Sequence, residues 1–166
     1  MTTLTSQPRA TVRVADEVWV ATALLHREFP RRLDFKIREI VERAAQENLH
    51  AKRRPGVYVH VVQHCVANRR ADPGRYRMLY ETRAGHRRLF KAGDDWHPDR
   101  NDGRTRPAAD ALPEQYRELL EWYDRWSGSD AEAGEDPIMR LRGLGREIWA
   151  DEPADKYVAR LRSGWE

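Results

Sequence analysis

Residues 57–68, Val-Tyr-Val-His-Val-Val-Gln-His-Cys-Val-Ala-Asn, constrain the fold of this 166-residue chain more than any other stretch. Their β-branched content suits a strand, but their periodicity suits a helix. At about 100° per residue, Val57, Val61, Cys65, Tyr58, Val62, Val66 and Val59 share one continuous arc, and Gln63, Ala67, His60 and His64 share the other. A strand would put Gln63 on the same face as Val59, Val61 and Cys65, a less consistent segregation. The spacing therefore predicts a helix here.

The flanking segments add a pattern to it. Asp16 is a candidate N-cap for a helix running to about His26, with Val18, Ala21, Leu24 and Leu25 on one face and Pro30 beyond its end. Ile37, Ile40, Val41, Ala44 and Ala45 follow the i, i+3, i+4, i+7, i+8 spacing of a second helix, and 49–56 reads as a loop. After the turn signal Pro73-Gly74, Tyr76, Met78 and Tyr80 alternate with Arg75 and Arg77 as in a half-buried strand. Residues 82–86 read as a hairpin loop and Arg87-Arg88-Leu89-Phe90 as the returning strand. A last helix begins at Pro113, with Tyr116, Leu119, Leu120 and Tyr123 on one face. The expected class is α+β, mainly helical.

Charge divides the chain. Residues 128–166 hold nine acidic and six basic side chains, which leaves 24 basic against 18 acidic in residues 1–127. Residues 128–136, without a large apolar side chain, are expected to be an acidic flexible linker between a basic domain (1–127) and a helical tail (137–166). The longest apolar stretch, Val18–Leu25, is far shorter than the roughly 20 residues of a bilayer-spanning helix. No apolar block with a cleavage site stands near Met1, so a cytoplasmic protein is expected. A single cysteine, Cys65, excludes an internal disulfide and a multi-cysteine zinc site.

Three helices followed by a two-stranded hairpin resemble a winged helix-turn-helix domain, here with a fourth helix and a two-helix C-terminal tail. In such domains the third helix enters a DNA major groove. The polar arc offers His60, Gln63 and His64 to base edges, and Asn68, Arg69 and Arg70 continue from it. Arg75, Arg77, Arg83, Arg87 and Arg88 in the hairpin suit phosphate contact. Double-stranded promoter DNA is the expected partner of this part, and a homodimer would be compatible with it.

Other chemistry is sparse. His60 and His64 have the i, i+4 spacing of metal ligands, but no glutamate lies between them and Cys65 points elsewhere. Asp94, Asp95 and His97 could be imagined in a metal-dependent nuclease, yet their Gly-, Pro- and Asn-rich surroundings are those of a surface loop. Neither a metal, a cofactor nor a catalytic residue is expected.

The tail is two short amphipathic segments. Ile138, Leu141, Gly145, Ile148 and Trp149 form one stripe, and Ala154, Tyr157, Val158, Leu161 and Trp165 another. Helices this short are marginal alone, so the stripes need a surface. The segments Leu141-Arg-Gly-Leu-Gly-Arg-Glu-Ile-Trp149 and Asp155-Lys-Tyr-Val-Ala-Arg-Leu-Arg-Ser-Gly-Trp165 resemble the toxin-binding tails of VapB-type antitoxins. That resemblance implies a PIN-type ribonuclease toxin as partner and an arginine, Arg140, Arg142 or Arg146, blocking its acidic Mg²⁺ site. It also implies Leu141, Ile148, Trp149, Tyr157, Leu161 and Trp165 as apolar anchors. The function so implied is that of an antitoxin and transcriptional autorepressor. The alternative is a stand-alone winged-helix regulator, or a defence-system specificity module, whose tail is a dimerisation arm.

Overall fold

Helix α1 (Val14–Glu28) is buried on nearly all sides, and the rest of the described chain is built around it. The computed structural model describes residues 12–50 and 54–133; the tail residues named above lie outside them. A strand of two residues, β1 (Phe35–Lys36), leads directly into α2 (Ile37–Glu47), and α3 (Gly56–Val59) follows. The hairpin strands β2 (Leu79–Arg83) and β3 (His86–Leu89) come next, and α4 (Glu118–Ala133) closes the described part. The sheet is antiparallel in the order β1-β3-β2, with Phe35 opposite Arg87 and Leu79 opposite Leu89. The fold is thus α+β, four helices with a small three-stranded sheet.

A helix that is apolar all round must be covered all round. Trp19, Val18 and Val20 have no exposed surface, and Trp19 meets Tyr123 of α4 edge-on at 5.4 Å between ring centroids. The Tyr123 hydroxyl donates to the Phe90 carbonyl at 2.5 Å, so the ring fills the core while its polar end is satisfied. His26, also buried, accepts the Leu89 N–H on Nε2 at 3.3 Å and stacks edge-on against Phe35, tying α1 to two strands.

Several expectations are met in outline and corrected in detail. Helix α1 starts two residues before Asp16: Arg13 is its N-cap, and Asp16 sits inside the first turn with no exposed surface. The hairpin is shifted along the chain, because Gly85, at φ +77°, allows a two-residue turn at 84–85 where a five-residue loop was expected. Helix α4 begins at Glu118, after a single 3₁₀ turn at Glu114–Tyr116, and runs to Ala133. Residues 128–133, expected to be flexible linker, therefore have helical backbone, consistent with the helix-forming Ala131, Glu132 and Ala133.

The helix expected over 57–68 is present as far as His64, but it changes pitch and stops four residues early. α-Helical geometry ends at Val59; residues His60–His64 adopt a π turn, closed by Cys65 N–H to the His60 carbonyl at 3.0 Å. Seven apolar residues on one arc exceed what one side of a helix can bury. The structure buries Val57, Val61 and Cys65 beneath α1, and sends Val66 into an isolated bridge with Leu79. Tyr58 and Val59 are left exposed at 57% and 44%.

Candidate nucleic-acid interface

The cations and polar groups expected to meet DNA divide sharply by what they already bind. Arg87, 1% exposed, donates to the carbonyls of Val61, Val62 and His86 and faces Glu81 at 3.2 Å. It anchors the hairpin to the π turn and is removed from any surface role; alternation along β3 turns it inward between half-buried neighbours. Arg69 makes two hydrogen bonds to Glu81, whose carboxyl pKa this pairing lowers. Arg88 makes two to Asp94 at 2.6 and 2.7 Å and lies over the Tyr80 ring. Arg77 donates to the Gly103 carbonyl and stacks on Trp96 at 4.4 Å. Asn68 exchanges hydrogen bonds with the Glu81 backbone in both directions. These five side chains brace the fold.

Two polar side chains of the π turn, His60 and Gln63, are likewise hydrogen-bonded, whereas the Nδ1 of His64 is buried without a partner. His60 Nδ1 donates to the Gly56 carbonyl at 2.8 Å, burial lowers its pKa, and its ring stacks edge-on against His64. Gln63 donates to the Arg70 carbonyl at 2.6 Å. His64 is covered by the loop beyond it: a Cβ on Gly74 would come 2.6 Å from the His64 Cβ. His60, Gln63 and His64 are thus half-buried, and reaching a base edge would exchange the internal bonds of His60 and Gln63.

Arg100, which the sequence did not single out, explains this arrangement. Its guanidinium has no exposed surface and donates to five main-chain carbonyls, those of Gln63, His64, Arg69, Arg70 and Tyr76. All of its donors are thus used without a carboxylate. The segment 63–76 is folded over this one side chain, which holds the covering loop against the π turn. Nothing in the local pattern Pro98-Asp99-Arg100 distinguishes such an arginine from a surface one.

Three of the expected cations remain accessible. Arg70 has an 84% exposed side chain and reaches Asp99 only at 3.6 Å; Arg83, 67% exposed, reaches Asp34 at 3.6 Å. Arg75 is exposed beside them in sequence. Long, solvated pairs of this kind contribute little to stability, so phosphate oxygens can take the place of the carboxylates.

The acidic loop is structural in its contacts. Asp94 accepts from Arg88 and from the Lys91 N–H, Asp95 from the Tyr80 hydroxyl, and His97 Nδ1 from the Asp99 N–H. Among the described residues no group of three or more His, Cys, Asp or Glu is placed to hold a metal ion. Cys65 is a buried thiol whose pKa burial pushes up. Among the described residues, too, no helix is long and apolar enough to cross a membrane. Comparison of the chain with protein-family models, curated proteins and solved structures finds no match.

Proposed function

We propose that the chain is an antitoxin and transcriptional autorepressor. Its body is a winged-helix module that binds double-stranded promoter DNA, and its tail caps a PIN-type ribonuclease. The observation that carries the DNA-binding half is the order α1–β1–α2–α3–β2–β3 with β3 central in the sheet. In a winged helix the strand between the first two helices pairs with the hairpin in this way. The wing is short, and His60 and Gln63 are hydrogen-bonded internally, so DNA contact rests on cations reaching phosphates: Arg70, Arg75 and Arg83.

The antitoxin half rests on the tail sequence. Arg140, Arg142 and Arg146 can supply charge-assisted hydrogen bonds to the carboxylates of a toxin's Mg²⁺ site. Trp149, Tyr157 and Trp165 are side chains of the kind that anchor interfaces.

The test is RNA cleavage by a co-expressed PIN-type ribonuclease. The full chain should suppress it, and replacement of Arg140, Arg142 and Arg146 together by alanine should restore it. A chain that binds promoter DNA but leaves cleavage untouched is a stand-alone regulator instead.

A further inference from the structure

The face that α3 does turn to solvent is apolar. Tyr58 is 57% and Val59 44% exposed. Tyr58 also forms one wall of a groove of about 620 Å³ that runs between α2, α3 and the β2–β3 turn. Ile37 and Val41 of α2 complete its floor, while Lys36, Arg38 and His86, with one carboxylate, Glu42, stand at its edge. The hairpin turn is fixed beside α2 by the Ile37 N–H, which donates to the Gly85 carbonyl at 3.0 Å, so the groove is built by the backbone. Tyr58 and the half-buried Ile37 and Val41 thus give the groove a small apolar floor.

The chemistry of the rim selects the occupant. Lys36 is exposed, and Arg38, with an 85% exposed side chain, pairs only with the solvated Glu42 on its own helix. Such a pair exchanges readily for an incoming carboxylate. A phosphate backbone would have to lie on the apolar floor, losing hydration without compensation. A second copy meeting this face about a two-fold axis would set one rim of net positive charge, Lys36 and Arg38 against Glu42, facing another. An acidic amphipathic segment has neither fault, because its apolar stripe covers Ile37, Val41 and Tyr58 while its carboxylates reach the two cations.

We infer that the α2–α3–hairpin groove is a docking site for an acidic amphipathic segment of a protein partner, separate from Arg70 and Arg75 of the proposed DNA contacts and adjoining Arg83 at the end of β2. Tyr58 is the central anchor, its ring in the apolar contact and its hydroxyl at the solvent edge.

The test replaces Tyr58 in the full chain by the photo-crosslinking residue p-benzoylphenylalanine, irradiates host cells, and maps the crosslinked peptide by mass spectrometry. The expected product is a peptide with an apolar stripe flanked by Asp or Glu, on a protein other than this chain. Its yield should fall at least tenfold when Lys36→Glu and Arg38→Glu are added, and should persist with Lys36→Arg and Arg38→Lys. Circular dichroism melting of each variant shows that the loss is not unfolding. Crosslinks to nucleic acid, to another copy of this chain, or to a segment without acidic residues overturn the inference, as does the absence of any adduct. DNA binding by Arg70→Ala and Arg75→Ala variants is a separate readout, so the proposed function can fail while the groove stands, and the reverse.

Discussion

Arg100 Nη1 donates to the carbonyl of Tyr76 at 2.6 Å, and so joins the turn at 98–100 to the irregular segment that leads into β2. The same nitrogen also meets the His64 carbonyl, at 2.8 Å. One buried side chain thereby ties the end of the π turn to the loop that follows it. Lysine at this position keeps the charge but has three donors and no planar fork. Arg100→Lys is expected to lower unfolding stability by about 2–4 kcal/mol, read from urea denaturation. A change within the scatter of surface substitutions would mean that the five carbonyls find other partners.

His26 supplies a pH dependence with a definite sign. Burial, and secondarily the Lys91 and Arg88 cations, lower its pKa from 6.5 to about 3. The neutral ring accepts the Leu89 N–H, a role that a protonated Nε2 cannot fill. Below about pH 6.5 the unfolded chain binds a proton that the folded chain refuses. Stability from this group is therefore complete above pH 6.5 and is lost as pH falls toward 3. Its size is roughly 3–5 kcal/mol. His26→Gln keeps an acceptor for Leu89 but does not titrate, so its stability should fall less than that of the wild type between pH 7 and pH 4. Parallel pH curves would assign the acid sensitivity elsewhere.

Asp16 acts in the opposite sense. Both of its carboxylate oxygens are buried without a hydrogen-bond partner, and the nearest cation, Arg104, is 3.7 Å away. Burial raises its pKa; Arg104 and Arg13 only partly offset this. The folded state therefore holds the proton more tightly than the unfolded chain, and stability falls as pH rises through the folded value. Asp16→Asn should raise the melting temperature at pH 8 and make little difference at pH 3. Arg104, with a partly exposed side chain, can be solvated once its neighbour is neutral. A lower melting temperature at pH 8 would show that the Arg104 attraction outweighs the burial.

These residues also show where the sequence was legible. The spacing of Ile37, Ile40, Val41 and Ala44 matches α2, because one buried face on a regular helix leaves a regular trace. The hairpin was legible from alternation and from a loop signal within 82–86, although the turn is shorter and the strands are offset. Residues 57–68 misled because periodicity assumes one helical pitch, whereas the π turn at His60–His64 changes the direction of every later side chain. The cations misled for a different reason. Arg69, Arg87, Arg88 and Arg100 look alike in sequence to Arg70 and Arg83, and only tertiary partners decide which are spent on carbonyls and carboxylates and which face solvent. The tail anchors Trp149, Tyr157 and Trp165 lie outside the described residues.

The most direct measurement is the affinity of the full chain for duplex DNA from its own promoter, followed as salt is raised. Three phosphate contacts per chain predict a slope of log K against log salt of about −3. Replacing Arg70, Arg75 and Arg83 together by alanine should bring that slope near zero, while the corresponding triple change at Arg69, Arg77 and Arg88 should instead lower stability. A wild-type chain that does not bind, or a binding curve unmoved by loss of the three exposed arginines, would contradict the account.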